Sequence, residues 1–481
     1  MSMFYEYIKG KVIIMERLKK IGKIQPKSSK DVKNSRIGLG FEKLDRDVFD
    51  PEKAYDKVGA LGVKWIRIQS GWARTEKEKG VYDFEWIDKV VDNLIERGLV
   101  PWVCLCYGNG IYGGGAEKVY GAVGVPPIFT EEQRTAWSNY VKAFCEHFKG
   151  RVSYYEIWNE PDGIWCWKHG VNATELGNFT IDTAKAIRSV QPDAKIIGGV
   201  QCLRQIDYMN EALRTGMCDW IDYISFHEYT SDETNVFERV DALASLAKEY
   251  NPNIGIIQGE SGSQSRSGGA GALHKGAWTP QKQAKQLARH TVADLMTEVL
   301  FTSYFSCMDM IEALGGTVGD KTSYLDYAYF GVLGAEFDED GYSVGEYKEK
   351  PSYYVLQNIA SVFAEDFEIT KLPVIFMQEY SERVFGYDVH RNDLTVGAFK
   401  RDNGTALVYW KPTDIMTTLD FESTVSFEIY SPYDTVKVID VMDGNIYQVP
   451  ESIMTRDEFG TYTFKNMPVK DTPLILVFGE F

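Results

Sequence analysis

Cysteine and histidine are scarce in this chain of 481 residues, with seven of the first and six of the second. Seven is odd, the cysteines are scattered, and Cys104 and Cys106 fall in an apolar strand-like run. Buried thiols are therefore expected rather than a disulfide framework. No Cys/His group has zinc-ligand spacing, so neither a metal nor another cofactor is expected. Long apolar runs are missing too: nothing approaches the roughly 20 residues of a membrane helix. The longest apolar stretch near the beginning, Val12-Ile13-Ile14-Met15, is far short of a signal-peptide core. The expectation is a cytoplasmic protein with no membrane partner, in which the glycosylation sequons at Asn172, Asn178 and Asn403 are chance matches. Basic charge is in deficit, 52 Lys and Arg against 69 Asp and Glu for a net −17, which argues against a nucleic-acid partner. Only residues 1–35 are locally basic, with nine bases against three acids. Their Ile and Val content favours an extended lead-in packed on an acidic body over an arm for an anionic partner.

Aromatic residues, by contrast, are plentiful: 14%, including 11 Trp and 29 Tyr. With 44% hydrophobic and 25% charged residues the chain is an ordinary globular one. Short apolar runs alternate with amphipathic segments across residues 36–365. The predicted strands are Arg36–Phe41, Trp65–Gln69, Val100–Cys106, Tyr154–Trp158, Ile196–Val200, Tyr223–Tyr229, Ile254–Gly259 and Tyr304–Met308. Helical patterns such as Phe84–Arg97, Glu131–Phe148, Leu176–Val190, Val236–Glu249, Thr279–Leu300 and Ser352–Phe363 fall between and after them. Strand then helix eight times over predicts an α/β fold, a (β/α)8 TIM barrel. Residues 366–481 change character. Strand-like runs such as Val384–Val389, Ala406–Trp410 and Leu474–Phe478, with turn signals at Asp402-Asn403-Gly404 and Asp443-Gly444-Asn445, predict an all-β sandwich. The length therefore divides into a lead-in (1–35), a barrel (36–365) and a sandwich (366–481).

Barrel enzymes work at the C-terminal ends of their strands. The fourth strand runs out as Trp158-Asn159-Glu160-Pro161 and the seventh as Gln258-Gly259-Glu260-Ser261, so each carries a glutamate at the mouth. If both glutamates face the barrel axis, period-2 alternation puts Trp158, Glu156 and Gln258 with them, and Tyr155, Ile157, Ile257 and Gly259 on the outer face. The same rule groups Tyr223, Ser225, His227 and Tyr229 in the sixth strand, and Trp65, Arg67 and Gln69 in the second. Two carboxyls across a mouth suit glycosidic cleavage, one protonating the leaving oxygen and the other attacking the anomeric carbon. Arg67 beside Glu260 would keep it ionised, and the Tyr229 hydroxyl would orient it. Glu228 is the rival nucleophile, but parity turns it outward toward a salt bridge. Glu156 reads as a buried partner of Arg67, and His227 is equally compatible with a core role and a functional one.

The Trp158-Asn159-Glu160-Pro161 segment resembles the Asn-Glu-Pro signature of clan A glycoside hydrolases, and Gly259-Glu260-Ser261-Gly262 stands where that clan has its nucleophile. His227-Glu228-Tyr229 is similar to the clan's His-x-Tyr, and Arg67 to its strand-two arginine. A barrel followed by a β-sandwich is most similar to the β-xylosidase-type family 39. The resemblance implies retaining double displacement, with Glu160 as acid/base, Glu260 as nucleophile and Asn159 on the sugar 2-hydroxyl. Two departures are the eighth strand, Tyr304-Phe305-Ser306-Cys307-Met308-Asp309, which lacks the tryptophan platform of many clan members, and the Gly- and Tyr-rich loop Tyr107–Pro127, which matches no characterised substrate.

Trp72, Tyr107, Tyr112 and Trp165 fall on strand-to-helix loops of the catalytic side, where aromatic rings stack on sugars; Trp86 and Trp137 read as core. The expected function is an exo-acting retaining glycosidase with a carbohydrate substrate, acting on β-linked oligosaccharides or glycosides. An endo-acting enzyme of the same clan and a catalytically silent sugar-binding protein are the alternatives. Sugar identity and oligomeric state, a homo-oligomer included, stay open at this level.

Overall fold

The computed structural model describes residues 15, 18–46, 49–113, 123, 125–311, 326–377, 382–384, 387–389 and 394–481. Residues 12–14, residues 114–122 and 124 of the Tyr107–Pro127 loop, and residues 385–386 of the Val384–Val389 run lie outside them. The first strand, β1 (Lys19–Lys23), precedes eight parallel strands that close into a barrel. These are β2 (Ile37–Gly40), β3 (Trp65–Gln69), β4 (Val100–Leu105), β5 (Tyr154–Ile157), β6 (Lys195–Gln201), β7 (Tyr223–Glu228), β8 (Gly255–Ser261) and β9 (Thr302–Tyr304). The barrel closes where Ile37, Gly38 and Leu39 pair with Thr302, Ser303 and Tyr304.

Around it run α1 (Tyr55–Gly59), α2 (Glu85–Glu96), α3 (Glu131–His147), α4 (Ala173–Val190), α5 (Ile206–Arg214), α6 (Asn235–Tyr250), α7 (Pro280–Leu295) and α8 (Pro351–Val362). Their starts are written locally. Thr130 caps α3 in a box with Gln133, and Asn172 caps α4 through Glu175 N, each satisfying N–H groups a helix end leaves unpaired. Thr279 does the same for α7, where proline occupies the first turn. Each helix turns an apolar stripe inward: in α2, Ile87, Val90, Val91 and Leu94 are buried.

The barrel floor is an apolar plug. Trp102, Ile197, Ile257 and Phe301 are fully buried and pack with Trp65, Tyr154 and Tyr223; the Trp65 and Phe301 rings stack at 4.4 Å. With the floor filled, space for a ligand remains only above it, at the strand C-termini.

Parity holds where the backbone is extended and fails at two places. Ile257 points into the plug, not outward, because β8 carries a bulge: Phe226 pairs with Gln258, but His227 pairs with Glu260. The extra residue, Gly259, restores an inward Glu260 after an inward Ile257. A Cβ at Gly259 would lie 2.4 Å from Ser225 Oγ and 3.2 Å from His227 Nε2, so the close approach requires glycine. Directly after β5, Trp158 and Glu160 take left-handed conformations, φ 65° and 42°, which end the alternation. Trp158 therefore leaves the axis and packs on Trp137, Phe179 and Trp167 beneath the helices.

Beyond the barrel, two antiparallel sheets share one apolar core that includes Leu407, Tyr409, Phe427, Phe464 and Phe478. The seven-stranded sheet contains Thr395–Arg401, Gly404–Trp410, Val436–Asp440 and Leu474–Gly479; the four-stranded one is centred on Glu422–Tyr430 and Thr461–Lys470. β1 is an edge strand of the larger sheet, antiparallel to Asn445–Gln448. Two short hairpins between β9 and α8, Met310–Ile311 with Tyr327–Ala328 and Leu333–Phe337 with Ser343–Glu349, are features the sequence pattern does not announce. No helix among the described residues is long and apolar enough to cross a membrane.

Candidate active site

One buried guanidinium organises the mouth. Arg67, at the centre of β3, is fully buried. Its Nε lies 3.0 Å from Glu156 Oε1, its Nη1 2.9 Å from Glu42 Oε1, and its Nη2 2.8 Å from Asn159 Oδ1. Nη1 also donates to Glu260 Oε1, and Nη2 to Glu156. A buried arginine needs such partners to offset desolvation, and here they come from the ends of three strands, β2, β5 and β8. Glu156 also accepts from Trp102 Nε1 at 3.2 Å, which ties the site to the plug below.

Glu260 accepts on its other oxygen from the Tyr229 hydroxyl at 2.6 Å. Burial and the Glu260 charge push Tyr229 well above the usual phenol range, so it stays a donor. Across the mouth, His227 Nδ1 lies 2.9 Å from Glu160 Oε1 and 3.5 Å from Glu260 Oε2. Trp165 Nε1 donates to Glu160 Oε2. Burial pushes Glu160 up, but the His227 bond and charge, with the Trp165 and Cys202 side chains, outweigh it and hold the carboxyl at about 2. Burial lowers His227, whereas the charges of Glu260 and Glu160 raise it above its ordinary value. Glu42 goes the other way: burial and the Glu260 charge outweigh Arg67 and Lys43 and push it up to about 7.

Ligand atoms of Glu160, His227 and Glu260 all lie within 4.8 Å of one another. Such a trio has donors enough for a cation, yet its lone pairs already face Arg67, Tyr229, His227 and Trp165. With a guanidinium alongside, the arrangement is better suited to moving protons than to holding a metal ion.

These groups line a cavity of about 370 Å³, at the small end of ligand pockets, which run from about 300 to 1,000 Å³. Asn159, Glu160, Trp165, Tyr107, Tyr229 and Glu260 line it, while Arg67 and His227 sit directly behind. A larger groove of about 800 Å³ along α3 and α4 holds none of these residues, so the smaller cavity is the candidate site.

Of the sequence-derived candidates, Trp72 does not belong. It is fully buried, its indole donates to Glu76 at 2.5 Å, and it stacks on Tyr112 and Tyr140 at 5.5 and 5.6 Å. Gly71, at φ 60°, turns the one-turn helix Trp72–Thr75 so that the indole enters the layer between barrel and helices. Tyr112, whose hydroxyl donates to Glu76, is drawn into the same stack. Glu228 is turned away from the cavity and paired with Arg204 and, at 2.7 Å, with Arg239. Lining groups beyond the sequence-derived candidates include Glu42, Lys43, Cys202 and Phe330. The first two directly follow the first predicted strand, where the strand-end rule would have found them. Phe330 had no local signal, since it arrives from the segment beyond β9. It meets Phe305 edge-on at 5.5 Å and Tyr229 at 5.7 Å, so an aromatic corner occupies the side where the eighth strand lacks tryptophan.

Residues 51–253 match the model of glycosyl hydrolases family 39. A beta-xylosidase from Geobacillus stearothermophilus is 26% identical over 221 residues, covering 42% of each chain. The chain thus aligns with about two fifths of the length of that curated relative. In overall structure it is similar to a family 39 glycoside hydrolase from Bacteroides cellulosilyticus WH2 (TM-score 0.61, 18% identity, 92% of this chain and 80% of that one). It is also similar to a monomeric beta-xylosidase from Caulobacter crescentus CB15 (TM-score 0.59, 15% identity, 96% and 98%). The match to the family 39 model lies within the barrel, over residues 51–253, and over the whole chain the likeness to these glycoside hydrolases is one of fold.

Proposed function

We propose that the protein is a retaining, exo-acting glycoside hydrolase for short β-linked glycosides, with Glu260 as nucleophile and Glu160 as acid/base. The observation that carries this reading is the approach of the two carboxylates, with oxygens within 4.8 Å of each other. Retaining enzymes hold their carboxyls about 5–5.5 Å apart, whereas inverting ones leave about 6.5–9.5 Å for a water.

In the first step Glu260 attacks the anomeric carbon while the bond to the glycosidic oxygen breaks. That oxygen keeps the electron pair and takes a proton from Glu160. Arg67 and Tyr229 orient the attacking carboxylate, and Asn159, fixed by Arg67, faces the sugar beside it. In the second step Glu160 removes a proton from water, the water oxygen bonds to the anomeric carbon, and the Glu260 ester is released. Tyr107, Phe305 and Phe330 supply apolar faces for the sugar ring. A small cavity supports exo action over an endo-acting cleft, and the presence of both carboxylates argues against a silent binding protein. The name of the Geobacillus relative makes a β-xyloside the first substrate to try.

The test is a panel of nitrophenyl glycosides assayed with the intact chain and with Glu260→Ala. Turnover of at least one β-glycoside is expected. Glu260→Ala should abolish it, and added azide should restore a glycosyl azide of inverted configuration. Near-wild-type rates in that variant, or no turnover of any sugar, would overturn the proposal.

A further inference from the structure

A carboxyl that must donate a proton to a leaving group is here held as a carboxylate on both oxygens. Glu160 Oε1 lies 2.9 Å from His227 Nδ1, and Oε2 accepts from Trp165. Both contacts favour the ionised form, so withdrawal of one raises the affinity of Glu160 for a proton. His227 is fully buried in β7 and has no freedom to withdraw. Trp165 is half-buried on the loop after β5 and lines the cavity.

Neighbouring indoles anchor the backbone of that loop on both sides of Cys166. Trp158 Nε1 pins the Cys166 carbonyl at 3.0 Å, and Trp167 Nε1 lies 3.3 Å from Glu175 Oε2. Both of those rings are fully buried. The Trp165 indole lies over Gly163, where a Cβ would meet it at 2.3 Å; any larger residue there would dislodge it.

We propose that Trp165 is a positioning residue that couples occupancy of the leaving-group side of the pocket to protonation of Glu160. Its indole donates to Glu160 Oε2. A sugar or aryl leaving group that takes its place frees that oxygen, which then binds a proton from solvent and passes it to the glycosidic oxygen as the anomeric bond breaks. His227 remains on Oε1 throughout. The inference rests on the assignment of Glu160 as acid/base. The other ionisable groups facing Glu160 are His227 and Tyr229 beside β7, Glu260 at the end of β8, Cys202 after β6, and Asp162 and Cys166 on the loop itself. Asp162 is turned to the backbone N–H groups of Cys202 and Leu203 at 2.9 and 2.6 Å.

Trp165→Phe keeps a ring and removes the donor. A hydrogen bond to the ionised form lowers a carboxyl pKa, so its loss should move the basic limb of kcat/KM upward by about one pH unit. In the unaltered enzyme, a disaccharide substrate should give a basic limb higher in kcat than in kcat/KM. A methyl glycoside, too small to displace the indole, should close that gap. An unmoved limb in Trp165→Phe, or equal limbs with both substrates, would overturn the coupling. Glu160→Ala separates the two levels. A loss that is greater for poor leaving groups than for good ones, combined with an unmoved Trp165→Phe limb, removes the coupling alone. An even loss across leaving groups removes the assignment of Glu160 and the coupling with it.

Discussion

Arg67 shares one nitrogen between Glu42 and Glu260, so the charge state of Glu42 bears on the proposed nucleophile. Glu42 is held up to about 7 from its ordinary 4.5, which means the folded protein binds that proton more tightly than the unfolded chain. Its contribution to stability is full below about 4.5 and is lost as pH rises through about 7, a difference of about 3 kcal/mol at most. Glu42→Gln removes this dependence. The melting temperature of the wild type relative to Glu42→Gln is therefore expected to fall between about pH 5 and about pH 8. Thermal scans at the two pH values check it; a constant difference would mean that Glu42 is ionised throughout.

At the scale of the element, the bulge in β8 places Glu260, and it depends on the glycine it contains. Gly259→Ala would drive a methyl group into Ser225 Oγ and toward His227 Nε2. The expected result is a folded barrel whose kcat/KM drops by roughly 100-fold, since displacements of about 1 Å in a site cost that much. Circular dichroism and kinetics on the same sample check this, and near-wild-type activity would show that β8 accommodates the methyl group without moving the site. The same strand shows what was legible beforehand. Eight strands, their order and the two terminal glutamates were readable because apolar runs and strand-end polarity are local patterns. Arg67 with Glu156, and Tyr229 with Glu260, followed from alternation along regular strands. Ile257 and Trp158 fall on the other faces because a bulge and two left-handed residues interrupt the period; Gly259 is the local sign of the first, and nothing adjacent in sequence marks the second. Trp72 failed for another reason: lying on a loop of the catalytic side does not settle which way a ring points. Gly71 turned this one into the layer beneath the helices.

The whole molecule joins barrel and sheets through buried polar contacts as well as packing. Trp410 Nε1 donates to Glu233 Oε1 at 2.8 Å, Arg289 pairs with Glu233 at 2.7 Å, and Lys285 with Asp471 at 2.8 Å. Glu233 follows β7 in the chain, on the same segment as His227 and Tyr229. Arg289 and Lys285 lie on α7, the helix after β8, so the sheets brace the two elements that carry one side of the site. β1 extends the same sheet from the other end of the chain. With Glu260 as the proposed nucleophile, two carboxylates this close hydrolyse a glycoside by double displacement. The most direct measurement is proton NMR of the first-formed sugar, recorded before mutarotation, during hydrolysis of a nitrophenyl β-glycoside. Release of the β-anomer is expected; release of the α-anomer would contradict the assignment of Glu260 as a nucleophile.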